Sequence, residues 1–136
     1  MDFVYPHISI VGIAAAAIAQ FVLGFVWYSQ MTPIGKRWAT EMGLDPANMA
    51  SPGPSVAVFP VSSILAAWAV AMVIGWSHAS GLGNSVLAAL GVAVAVIAQT
   101  LGATVANSQS VTMGVIHVAY VVVGYAIMGA LIGLLS

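Results

Sequence analysis

Cysteine is absent from this 136-residue sequence, which removes disulfides, thiolate metal sites and a cysteine nucleophile together and leaves the redox compartment open. Charge is scarce as well. Lysine and arginine number 2, aspartate and glutamate 3, so 4% of the chain is charged where an ordinary soluble domain carries about a quarter. The whole set is Asp2, Lys36, Arg37, Glu41 and Asp45, and nothing beyond Asp45 is charged. A formal net charge of -1 provides no basic field for nucleic acid and no acidic tail. Acid–base catalysis is equally short of material, because every carboxylate precedes Pro46 and no Ser, His and Asp fall on elements that a membrane topology would bring together. Lys36 follows Gly35, but no glycine stands upstream at the phosphate-loop spacing and Arg37 fills the Ser or Thr position. The expectation is a chain that is not an enzyme and carries no cofactor.

What is present is hydrocarbon. Hydrophobic residues make up 62% of the chain, and mean hydropathy is +1.10. The stretch from Phe21 to Trp38 orders the rest: an apolar run ends in Trp27, Tyr28 and Ser29, and the only two basic residues follow within a few positions. Trp and Tyr favour the headgroup level, and a charge at the bilayer centre costs about 2.5–3.5 kcal/mol on insertion scales, so a membrane boundary is expected here. Ala17-Ile18-Ala19 before Gln20 superficially resembles a signal cleavage site, but the preceding segment has no Lys or Arg and the run continues to Trp27. It reads as a retained anchor.

Apolar runs of spanning length lie at about 8–29, 55–76, 85–106 and 111–135. Between the first two, Ile34, Trp38 and Met42 fall on one face of a segment at about 34–43, with Lys36, Arg37, Thr40 and Glu41 on the rest, as in a helix lying in the interface. Gly43 is a stop signal, Asp45-Pro46 an N-cap opening a turn through Met49, and 51–54 a breaker. The predicted fold is all-α: one domain, a four-transmembrane-helix bundle with a short interfacial helix between helices 1 and 2. By the positive-inside rule the loop with Lys36 and Arg37 is cytoplasmic. Trp27, Tyr28, Lys36, Arg37 and Trp38 are the expected headgroup-level residues.

Small residues recur at helical spacing, which lets membrane helices approach closely. The rows are Gly12, Ala16, Gln20 and Gly24; Ala67, Ala71 and Gly75; Ala88, Val92, Ala95, Gln99, Gly102 and Ala106; and Gly129 with Gly133, a literal GxxxG. Gly114, His117 and Gly124 share one side of the last run. The segment GIAAAAIAQ ending at Gln20 is echoed by GVAVAVIAQ ending at Gln99, which either reflects duplication or follows from the Ala, Val and Gly bias. Within the runs the polar groups are Gln20, Gln99 and His117. The amides are read first as packing groups worth about 0.6–2 kcal/mol, and His117 as a neutral donor to a neighbouring helix, with a polar path or proton relay as the functional reading. A zinc site from His7, His78 and His117 is opposed by topology, since the first two flank one boundary and His117 lies near the other.

The residues Leu23-Gly24, Trp27-Tyr28-Ser29, Gly35-Lys36, Trp38 and Glu41-Met42-Gly43-Leu44, with His117 and Ile127-Met128-Gly129-Ala130, resemble the signature of a bacterial membrane family known as domain of unknown function seventeen sixty-one. Departures from that pattern are Gln30, Ile34 and the neutral turn 107–110. The resemblance implies four spans and residence in the bacterial cytoplasmic membrane, with no implied activity. Two functions follow as expectations. The first is a non-catalytic protein in the lipid bilayer that forms homo-oligomers or joins other membrane subunits through small-residue faces. The second is an oligomeric transporter or pore lined by Gln20, Gln99 and His117. A lipid-headgroup enzyme using Lys36, Arg37 and Glu41 ranks third.

Overall fold

A computed structural model describes residues 8–45 and 55–136, with 55–57 described by their backbone only. The expected lead Asp2–His7, the turn 46–49 and the breaker 51–54 lie outside the described residues, as does His7 of the considered metal set.

Among the described residues five helices form: α1 (Ile10–Trp27), α2 (Pro33–Glu41), α3 (Ser55–Trp76), α4 (Gly81–Ala106) and α5 (Val111–Leu135). Four of them, all but α2, are long and apolar enough to cross a membrane. The protein is thus a small, all-helical polytopic membrane protein. Hydrocarbon cannot satisfy backbone polar groups, so each crossing must close its hydrogen bonds within one helix. Helix α4 begins at Gly81 rather than at 85, which shortens the α3–α4 connection to 77–80. Pro60 lies inside α3 and withholds the donor due to the carbonyl four residues earlier.

The helix ends are built by identifiable local bonds. Ser9, Thr32 and Ser110 cap α1, α2 and α5, their hydroxyls accepting from the N–H of Gly12, Gly35 and Met113. Three C-terminal ends close through a left-handed residue: Gly43 after α2 (φ 74°), His78 after α3 (φ 51°) and Ser108 after α4 (φ 52°). In each, the next residue's N–H bonds back to a carbonyl of the last turn, Leu44 to Ala39, Ala79 to Ile74 and Gln109 to Thr104. This is the Schellman arrangement.

The spans run alternately up and down in the ring order α1, α3, α4, α5, with α5 against each of the other four helices. Among the described residues α1 and α4 stand diagonally opposite and do not touch. The core is made of small side chains, with Ala16, Ala67, Ala71, Ala89 and Ala93 packed around Val70, Met128 and Ile132. The GxxxG pair is consumed inside this chain. A Cβ on Gly129 would stand 2.6 Å from Ala89 Cβ and 2.8 Å from the Ser85 carbonyl, and one on Gly133 would stand 2.7 Å from Ser85 Cβ. These glycines set the α4–α5 approach. Ser9 ties the far end, donating its hydroxyl to the Leu135 carbonyl at 2.9 Å.

Candidate functional site

The polar and aromatic side chains gather where α1, α2 and α5 meet. Just after Trp27 the chain turns within five residues: the Ser29 hydroxyl donates to Val26 O (2.8 Å), and Thr32 closes the turn as it caps α2. A Cβ on Gly35 would lie 1.8 Å from the Ser29 carbonyl, so only glycine lets α2 fold back this tightly. The turn lays Trp38 edge-on to Tyr28, with ring centroids 5.2 Å apart.

Tyr28 is the hub. Its hydroxyl lies 2.7 Å from His117 Nδ1 on α5 and donates to it when the imidazole carries its hydrogen on Nε2. Burial, and then the neighbouring Tyr120, push the Tyr28 pKa up, which keeps the phenol protonated. The Tyr28 and Tyr120 rings meet edge to face at 5.3 Å. Trp27 donates its indole N–H to the Ile116 carbonyl at 3.2 Å. Deeper in, Gln20 Nε2 donates to the Tyr120 hydroxyl at 3.0 Å. The Gln20 amide lies across Gly124, where an added Cβ would sit 2.2 Å from Oε1, and that oxygen is buried without a hydrogen bond among the described residues. Gly24 is needed beside it, since a Cβ there would meet the Tyr120 hydroxyl at 2.8 Å.

At the rim, Glu41 pairs with Arg37 (3.1 Å) and accepts the Ser110 hydroxyl (2.7 Å), so α2 is tied to the cap of α5. Helix α2 docks through buried Gly35 and Ala39, whereas Ile34 and Met42, expected on its apolar face, are exposed beside Lys36 and Arg37. The small residues face the bundle because only they allow the close approach. The larger ones are left to meet lipid.

The sequence-derived residues divide into two groups. Gly12, Gly24, Gln20 and His117 lie on the α1–α5 contact, where Gly12 packs on Ile132. Ala71 is buried, and it lines a cleft of about 260 Å³ together with Gly75 and His78, which adjoin at the end of α3. Gly114 departs from the expected common side and faces Thr104 and Leu101 of α4. Ala95, Gln99 and Gly102 all point out of the bundle. Gln20 and Gln99 therefore do not meet, because their helices are diagonal. The echo of GIAAAAIAQ in GVAVAVIAQ presents one face inward on α1 and the corresponding face outward on α4. Sequence reading missed Tyr120, although its place one turn after His117 was the available signal.

Of the two patches that resembled a family signature, the one around Trp27-Tyr28-Ser29 thus meets His117 of the other, whereas Met128 and Gly129 of that second patch pack in the core and against α4. A family described as a protein of unknown function, DUF1761, matches residues 11–133. The chain belongs to the DUF1761 family. No curated protein and no solved structure matches it. As a DUF1761 member the chain places its phenols, imidazole and amide within the matched region, at the joint of α1, α2 and α5. Among the described residues no three His, Asp or Glu side chains gather in a metal-binding group. The arrangement locks helices together: phenol to imidazole, amide to phenol, indole to carbonyl.

Proposed function

We propose that this DUF1761 protein is a non-catalytic subunit of an assembly in the bacterial cytoplasmic membrane, formed by self-association through a small-residue helix face. The observation that carries the reading is a surplus. The small-residue rows of α1 and α5, Gly12, Ala16 and Gly24 with Gly124, Gly129 and Gly133, are used within the chain, whereas Gly91, Ala95, Gly102 and Ala106 of α4 are exposed. Lipid gives helices no hydrophobic reason to associate, so close-packing surfaces supply much of the attraction. Lys36 and Arg37, exposed on α2, contact anionic headgroups on the cytoplasmic side at about 1 kcal/mol each. Native mass spectrometry of the full chain in a series of mild detergents tests the reading. Oligomers that persist as detergent is diluted are expected, and a monomer in every detergent would overturn it.

The pore reading requires Gln20, Gln99 and His117 on one water-accessible path. Gln20 is engaged with Tyr120 and His117 with Tyr28, while Gln99 lies on another surface. Proton or solute flux in liposomes, compared with Gln99→Leu and His117→Ala, separates the two readings. Flux that falls in both variants would favour the pore.

A further inference from the structure

We propose that two copies of the chain pair through the outward face of α4, with their Gln99 amides hydrogen-bonded to each other across a two-fold axis along the membrane normal. The inference rests on the self-association reading and names its surface and partner. Gly91, Ala95, Gln99, Gly102 and Ala106 form an exposed stripe, and a Cβ added to Gly91 or Gly102 would meet nothing within 4 Å. A second helix has room to approach.

Two observations show what should occupy that room. The first is Gln99 itself. The other hydroxyls nearby close on their own helix, Thr100 to Val96 O and Thr104 to Thr100 O, each at 2.8 Å. Gln99 has no hydrogen-bond partner among the described residues. It stands seven residues before Ala106, about 10 Å along the helix axis, and α4 at about 39 Å exceeds the roughly 30 Å of hydrocarbon by less than that. Wherever α4 spans the full hydrocarbon thickness, the Gln99 backbone lies within it, where water is scarce and an amide gains from a protein partner.

The second observation is α1, which carries the matching segment in an engaged state. There Gly12 lies against Ile132, Ala16 is fully buried, and Gln20 bonds a side chain of the packed helix. Glycine, alanine and glutamine at this spacing are a helix-receiving face in this chain, and α4 has the same face without its helix. A second copy inserted in the same sense brings a second Gln99 to the same depth. Two amides related by a two-fold axis each give an N–H and accept one, so the surface complements itself.

The absence of cysteine makes single-cysteine scanning clean. The full chain, reconstituted in phosphatidylethanolamine–phosphatidylglycerol vesicles, is oxidised with Ala95→Cys or Gly102→Cys, and with Ile18→Cys on α1 and Val115→Cys on α5 as exposed comparators. Disulfide-linked dimers are expected from the two α4 positions and not from the comparators. Gln99→Leu should weaken dimerisation about tenfold, and Gln99→Asn should restore part of it. Because Gln99 is exposed and hydrogen-bonds no other helix among the described residues, an unchanged melting curve of the detergent-isolated Gln99→Leu monomer would show that its fold survives. Cross-linking at Ile18 or Val115 in place of α4 would overturn this interface while leaving self-association standing. Cross-linking of α4 only to a different helix would overturn the two-fold pairing. Monomers in every variant and every detergent would remove both readings.

Discussion

Single residues decide how closely these helices approach, and the glycines fall into two kinds. Gly35 and Gly124 fill places where a methyl group would overlap the Ser29 carbonyl or the Gln20 amide, whereas Gly83 faces open space. Gly35→Ala must push backbone against backbone and should destabilise the fold by at least about 1–3 kcal/mol. Gly124→Ala displaces a side chain and should cost about 1–3 kcal/mol while breaking the Gln20–Tyr120 bond. Gly83→Ala should be neutral or stabilising by up to about 1 kcal/mol, through helix propensity alone. Thermal melts in one detergent check the ranking; equal losses at Gly35 and Gly83 would refute the close approach of α2. The sequence does not show this distinction: Gly35 and Gly124 look like ordinary glycines in helical stretches, and Gly83 falls between the expected spans, although α4 begins before it. Gln20 and His117 were legible because polar groups are costly inside lipid. Tyr120 was not, since its ring suits an apolar run and only its hydroxyl betrays a partner.

At the scale of elements, length and composition made the spans and the interfacial helix legible, while the direction each face points was not. Core-facing and lipid-facing residues are equally apolar in a membrane protein, so the row through Ala95 and Gly102 reads the same whether it packs or faces out. The joint between α2 and α5 was also hidden, because it depends on Ser110 being both a cap and a donor to Glu41. Ser110→Ala removes both bonds. It should cost about 1 kcal/mol as a lost cap and speed amide exchange at the start of α5 and across α2 together. Glu41→Gln retains an acceptor for Ser110 and should leave α5 protected while loosening Arg37. Exchange that rises in α5 alone after Ser110→Ala would show that the Glu41 contact does not hold α2. The left-handed Ser108 offers the opposite test: Ser108→Gly relieves a conformation costing an L-residue about 1–2 kcal/mol and should raise stability by about 0.5–1 kcal/mol, after glycine's own entropy cost.

For the whole molecule, the open quantity with the largest consequence is which way up the bundle sits, since this fixes the side from which the Tyr28–His117 joint and α2 are reached. Lys36 and Arg37 are the only basic residues in the chain, and both lie on α2. If each contributes about 1 kcal/mol at an anionic cytoplasmic leaflet, the pair biases orientation by about 2 kcal/mol, roughly thirty-fold in the ratio of the two topologies. The helix packing contributes nothing to this choice, because the same bundle forms either way up. Replacing both residues by Gln should therefore leave the fold intact and divide the population between two orientations. In cells, a cysteine introduced at Thr40 should be protected from an impermeant thiol reagent in the otherwise natural chain, and one at Ser80, in the α3–α4 connection, should react. In the double Gln background both sites should react partially. Sidedness unchanged by the double replacement would mean that something other than α2's charge orients the protein, and a reactive Thr40 site in the natural background would place the loop on the opposite face.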